Sequence, residues 1–251
     1  MELIMDEKLK IYLVGDSTVQ TYKLEAAPQC GWGAMLYRYF TDNEVRVYHS
    51  KGSEFENAVT YEMADLIIDN RAMAGRGLKN FFEEGRFSEV LECIQEGDYC
   101  LIQSAHNDAY KEKVERFLTP DEYKEKLKED YVLPLKNKGA NPVLVTAITM
   151  KDFDADGNCR ISFPEYREKM MEVAKELKLT CIDLGKITAD YNTKIGEEAC
   201  RGIYMNLDKD MFESAPEGKE DNAHLKFEGA FVYAGFVARE LRKLICEVSS
   251  G

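Results

Sequence analysis

Five short apolar runs, each closed by a turn signal, constrain what this chain can fold into more than any other feature. They are KIYLVG at 10–15 and the stretches 64–72, 98–105, 142–149 and 180–184. Runs this short and this apolar suit strands buried on both faces of a parallel sheet. Between them, at 78–95, 120–138 and 164–179, apolar residues recur at steps of three and four. Two of these stretches open on proline, Pro120 and Pro164, where a first helical residue needs no free N–H. Strands alternating with helices predict an α/β fold, a three-layer α/β/α sandwich around a central parallel sheet of about five strands. The stretch 226–248 carries Phe227, Ala230, Phe231, Ala234, Val237, Ala238, Leu241, Leu244 and Ile245 at helical steps, so a long amphipathic helix should lie along the sheet. The segment 44–61 has strand character only at 45–48 before turning polar, and reads as a surface excursion.

A chain of 251 residues with 45% hydrophobic content can bury about three quarters of its unfolded surface around one core. A single domain over 1–251 is expected, with 1–9 and 249–251 as loose ends. Thirty-three basic residues against 46 acidic ones give a net charge of −13, and no basic cluster stands clear of neighbouring acids. That balance argues against nucleic-acid backbones and anionic membranes as partners. No stretch approaches the roughly 20 apolar residues of a membrane span, and acids interrupt the first ten residues where a signal peptide needs an apolar run. The seven cysteines are scattered singly, without a CxxC pair, which favours free thiols in a reducing compartment and no zinc site. A cytoplasmic location is the expectation; the oligomeric state stays open.

Four blocks carry residues suited to acyl-transfer chemistry. Gly15-Asp16-Ser17-Thr18 follows the first strand directly, where ligands bind in open α/β sheets, and Ser17 there can be a nucleophile or the cap of a following helix. In Asn70-Arg71-Ala72-Met73-Ala74-Gly75-Arg76-Gly77, glycine can bring a backbone N–H close to a developing oxyanion, or simply make a turn. Gln103-Ser104-Ala105-His106-Asn107-Asp108 ends the strand 98–105, and the Asn107 amide can donate to the same charge, although Asn-Asp is also ordinary turn chemistry. In Asp221-Asn222-Ala223-His224 a carboxylate three residues before one of only three histidines can accept the imidazole Nδ1 hydrogen and leave Nε2 free as a base. Asp152, Asp154, Asp156 and Gly157 imitate the start of a calcium loop, but its twelfth position is Phe163 where a bidentate Glu is required, so this stretch reads as an exposed turn.

With all four blocks in this order the sequence resembles the SGNH hydrolases, a flavodoxin-like α/β family named for the Ser, Gly, Asn and His of its successive blocks. Ser17, Gly75, Asn107 and His224 fall on those positions. It resembles most the rhamnogalacturonan acetylesterase branch, through GDST (15–18), GWG (31–33), AGRG (74–77), EGR (84–86), AHND (105–108) and DNAH (221–224). It departs from that branch at Gly77, usually Ser, at Ala105, usually Gly, and in the longer excursion 44–61. The resemblance implies a serine esterase acting on O-acetyl esters of pectin-derived or other sugars or oligosaccharides, with no cofactor or metal. Ser17, Asp221 and His224 would form the triad, and Ser17, Gly75 and Asn107 the oxyanion hole. Asp16 and Asp108 would be hydrogen-bond partners of the site. Trp32, beside the GWG glycines, and His106 are candidates to bind substrate, while Tyr37, Tyr39 and Phe40 read as core. A broad or lipid- or thioester-directed esterase is the alternative within this chemistry, and a non-catalytic carbohydrate-binding protein on the same fold is the alternative outside it.

Overall fold

The computed structural model describes residues 8–41 and 43–248, the last three as backbone only. Seven strands form the main sheet: β1 (Leu9–Val14), β2 (Arg46–His49), β3 (Val59–Glu62), β4 (Leu66–Asn70), β5 (Tyr99–Ser104), β6 (Asn141–Thr146) and β7 (Cys181–Ile182), in the order β2-β3-β4-β1-β5-β6-β7. The five from β4 to β7 are parallel, and they are the five apolar runs. The two extra strands correct the reading of 44–61, which is an antiparallel hairpin extending the sheet at its β4 edge. Its first strand is largely exposed, so it lacks the continuous apolar run of a central strand.

Side chains alternate between the two faces with the pleat. Ile11, Leu13, Leu101, Val143 and Val145 point into one core, and Tyr12, Val14, Cys100, Ile102 and Leu144 into the other. The second core is covered by α1 (Leu78–Glu83), α2 (Arg86–Cys93), α3 (Pro120–Lys126), α4 (Leu133–Asn137) and α5 (Pro164–Leu177). The first is covered by α6 (Leu184–Ile195) and α8 (Phe227–Val248), with the short α7 (Glu197–Cys200) between them. These are the three layers of an α/β/α sandwich.

Between α3 and α4 the helix widens into a π turn over Leu127–Val132. Pro134 lies just beyond it, and proline withholds an N–H and crowds the carbonyl four residues back, which a wider turn relieves. Helices α6 and α7 fall outside the four expected helical stretches. The start of α6 is marked by Asp183, whose carboxylate caps the Lys186 N–H at 3.4 Å.

The hairpin is held to the sheet by buried charge. Arg71 donates to both Asp69 oxygens at 2.7 and 2.9 Å, to Glu89 at 3.2 Å and to the Lys51 carbonyl at 3.1 Å. Ser50 donates to Asp69 at 2.6 Å, and Glu89 accepts from Ser53 at 2.6 Å and from the Glu54 N–H at 2.8 Å. These bonds tie the β2–β3 loop to β4 and to Glu89 in α2.

A second, separate sheet pairs β8 (Tyr204–Leu207) with β9 (Lys219–Leu225), antiparallel and with an irregular register between Tyr204 and Asn206. At the N-terminus β1 begins at Leu9, and Lys8 pairs with Glu62 at 2.7 Å, so the ordered sheet reaches further back than the expected boundary at residue 9. The rest of the two expected loose ends, 1–7 and 249–251, lies outside the described residues. No described helix is long and apolar enough to cross a membrane.

Candidate active site

Sheet order alone brings three of the candidate blocks together. Ser17 follows β1, Gly75 follows β4 and Asn107 follows β5, and these strands are immediate parallel neighbours. Parallel neighbours end side by side about 5 Å apart, so all three blocks open at the carboxyl edge where an open α/β sheet binds its ligands.

The turn holding Ser17 is fixed by a buried chain of hydrogen bonds. Asp16 Oδ1 accepts from the Thr18 N–H and hydroxyl, both at 2.8 Å. Thr18 Oγ1 accepts from Gln103 Nε2 at 2.6 Å, and Gln103 Oε1 accepts from the Trp32 indole at 2.9 Å. Trp32 is therefore a strut of the core, 1% exposed, and has no face to offer a substrate. That corrects the reading of Trp32 as a binding residue. The glycines beside it have a packing reason: a Cβ on Gly31 would come 2.4 Å from the Gln20 carbonyl oxygen, so the 31–33 segment can lie against the serine turn only without a side chain there.

His106 stands partly covered beside this turn. Its side chain is 9% exposed, its ring meets Phe163 edge-on at 4.9 Å, and Nδ1 stands 3.5 Å from Asp16 Oδ2, a charge contact too long for a strong hydrogen bond. Burial alone would push the Asp16 carboxyl up, but His106 and the Thr18 donors outweigh it and hold it below its ordinary value. Asp108, equally buried, is pushed up to about 7, chiefly by desolvation and further by the Asp16 charge, against the pull of the Leu78 N–H it accepts at 2.7 Å. Asp108 thus caps the start of α1, and a Cβ on Gly77 would meet its Oδ1 at 2.6 Å. Ala105, just before His106, has φ +139°, a conformation suited to glycine.

Gly75 lies in a left-handed turn, φ +77°, anchored by Arg116 and Asn80 donating to its carbonyl at 3.0 and 3.3 Å. Beside it, the Ala74 N–H donates to Gln20 Oε1 at 2.5 Å, tying this turn to the serine turn. Asn107 spends one amide hydrogen on the Arg76 carbonyl at 3.1 Å, and its amide carries a second. Among the described residues none accepts a hydrogen bond from the Ser17 or Gly75 backbone N–H.

Asp221 and His224 arrive from the separate ribbon. Asp221 Oδ2 lies 2.8 Å from His224 Nδ1, while Oδ1 accepts the Ala223 and His224 N–H groups, both at 3.0 Å. Burial raises the Asp221 carboxyl, but the bonds from His224 and Ala223 hold it well below the usual carboxylate range. Backbone bonds carry the ribbon to the serine turn: Cys30 donates to the Leu225 carbonyl at 2.9 Å, and Trp32 donates to the Thr18 carbonyl at 2.8 Å. From β6's side, Lys151 donates to the Asn222 carbonyl at 2.8 Å.

Sequence reasoning missed Gln103, whose signal was a polar residue at the end of an otherwise apolar strand, and Gln20 and Tyr22, which carry none. It also missed Lys219, whose ammonium stands 3.0 Å from the same Asp221 oxygen that faces His224. In the 152–157 turn, Asp154 Oδ1 accepts the Asp156 and Asn158 N–H groups, both at 2.9 Å, and Asp152 pairs with Arg160 at 2.7 Å. The six described cysteines, Cys30, Cys93, Cys100, Cys159, Cys181 and Cys200, are free thiols, and the Cys246 side chain lies outside the described ones.

A family model described as GDSL-like lipase/acylhydrolase matches residues 11–230. This chain is 28% identical over 241 residues to rhamnogalacturonan acetylesterase RhgT of Bacillus subtilis (strain 168), covering 96% of this chain and 93% of that protein. It is 32% identical over 235 residues to probable rhamnogalacturonan acetylesterase YesY of the same organism, covering 93% of each. The crystal structure of YxiM from Bacillus subtilis matches with a TM-score of 0.73 at 28% identity over 94% of this chain, which spans 57% of that longer one. Axe2, an acetylxylan esterase from Geobacillus stearothermophilus, matches with a TM-score of 0.58 over 92% of this chain and 93% of its own; at 16% identity that likeness speaks to the fold alone.

Proposed function

Since this chain belongs to the GDSL-like lipase/acylhydrolase family and is a carboxylic ester hydrolase, we propose that it removes O-acetyl groups from sugars or oligosaccharides through a triad of Ser17, His224 and Asp221. The observation that carries the triad is the Asp221–His224 pair, joined at 2.8 Å on a ribbon bonded through Cys30 and Trp32 to the serine turn. In this reaction Ser17 Oγ attacks the ester carbonyl while His224 Nε2 takes its proton. Asp221 holds the Nδ1 hydrogen and stabilises the imidazolium. The tetrahedral oxyanion is received by the Ser17 and Gly75 N–H groups and by the Asn107 amide.

Collapse of that intermediate breaks the bond to the sugar oxygen, which leaves with the proton from His224. Water, deprotonated by His224, then attacks acetyl-Ser17 and frees acetate, returning the proton to Ser17. The sugar acetate as substrate is supported by the relatives named rhamnogalacturonan acetylesterase. The test of the chemistry is Ser17→Ala, for which kcat on p-nitrophenyl acetate should fall on the order of 10⁴- to 10⁶-fold. Activity within tenfold of the parent would remove Ser17 as nucleophile.

A further inference from the structure

A cleft of about 950 Å³ lies between the serine turn and the hairpin loop. Its inner wall is formed by Gln20 and Tyr22, and Met73 comes from the block that leads to Gly75. These are the side chains that hold the proposed chemistry in place: Tyr22 donates to the Ser17 carbonyl at 3.0 Å, and Gln20 accepts the N–H beside Gly75. The outer wall is the loop between β2 and β3, residues 54–57, so the polar stretch within 44–61 is one side of the cleft.

An acetyl group is far too small to require such a space, which falls in the range of sites that bury a whole ligand. Its furniture is suited to a sugar. Phe55 lines it as an apolar ring, held in place by the Arg86 guanidinium lying over it 4.0 Å from the centroid. Asn57 is pinned by donating to the Ala72 carbonyl at 2.7 Å and accepting from Arg86 at 2.9 Å.

Charge narrows the class of sugar. Both cations on the lining are already engaged, Lys23 with Glu56 at 3.2 Å and Arg86 with Glu84 at 2.6 Å. Glu25 and Glu54 also line the cleft, both exposed, and among the described residues neither side chain is paired with a cation. A ligand carboxylate entering here would lose water, meet no free cation and face two acids.

We propose that this cleft receives the alcohol side of the ester and takes an uncharged acetylated saccharide in preference to a uronate-bearing one. The proposal rests on the acetylesterase reading above and adds the substrate class. It is tested with the full chain on acetylated xylo-oligosaccharides and acetylated galacturonate-containing oligosaccharides, with p-nitrophenyl acetate as reference. At low salt kcat/KM on the neutral substrate should exceed that on the uronate by at least about tenfold, and the ratio should shrink as salt screens the acids. The double charge reversal Glu25→Lys with Glu54→Lys, at exposed positions, should lower that ratio about fivefold or more, and Phe55→Ala should raise KM for the oligosaccharide with kcat little changed.

Equal or faster cleavage of the uronate at low salt, or a ratio unmoved by the charge reversal, overturns the proposal while leaving the esterase reading intact. Should p-nitrophenyl acetate not be cleaved at all, the esterase reading fails, and the cleft is judged by calorimetry of deacetylated oligosaccharides on Ser17→Ala. Binding of the neutral ligand at least about tenfold tighter than the uronate supports it there, and the reverse order overturns it.

Discussion

The two halves of the proposed triad are built on opposite principles. Ser17 sits on the turn that follows β1, a turn braced by Asp16, Thr18, Gln103 and Trp32, all buried and joined by bonds of 2.6 to 2.9 Å. Asp221 and His224 sit on a two-stranded ribbon outside the main sheet, their side chains 16% and 32% exposed. A nucleophile fixed by the core is costly to move, whereas a base carried on a ribbon is held by a few backbone bonds and by its own aspartate. The same reaction therefore depends on core packing at one residue and on local hydrogen bonding at the other.

Asp221→Asn attacks the locally held half and should have the largest effect short of removing Ser17 itself. An asparagine keeps the shape but favours the wrong imidazole tautomer, so kcat should fall about 10³- to 10⁴-fold. Thermal unfolding should shift by no more than about 3 °C, since no main-sheet packing is lost. A large drop in melting temperature would show the ribbon to be part of the core's cooperative unit and would dissolve the contrast.

Asn107→Ala tests the edge between the halves. Loss of one donor to the oxyanion should lower kcat roughly 10²- to 10³-fold with little change in KM. A pure KM effect would make Asn107 a substrate-binding residue instead.

The smallest effect sharpens the core half. Ala105 sits at φ +139°, and such backbones cost of order 1–3 kcal/mol for residues with a Cβ. Ala105→Gly forgoes a buried methyl worth about 0.8 kcal/mol and adds chain entropy of about 0.5–1 kcal/mol. The middle of these ranges leaves a net gain of about 0.5 kcal/mol, a rise of about 1–2 °C in melting temperature. A fall of that size would mean that the buried methyl outweighs the strain.

What could be read in the sequence divides along the same line. The five parallel strands are legible because burial on both faces leaves continuous apolar runs such as KIYLVG. The hairpin at 46–49 and 59–62 and the ribbon at 204–207 and 219–225 are not, because β2 is mostly exposed and β9, KEDNAHL, is polar nearly throughout. Asp221 and His224 stand out only because a short carboxylate-to-histidine spacing signals its own contact. Trp32 is opaque for the opposite reason: nothing near it in the chain reveals that Gln103, brought in by another strand, would bury it.

The contact between Gly77 and Asp108 reaches beyond these two residues. With a Cβ at residue 77 meeting the carboxylate at 2.6 Å, a side chain there requires the Asp108 carboxylate to shift from where it holds the Leu78 N–H. Losing that buried carboxylate's bond would leave the amide at the head of α1 unsatisfied, at a cost of about 1–3 kcal/mol. A change at 77 is therefore felt at a neighbour thirty-one residues further along the chain, and through it at the head of α1.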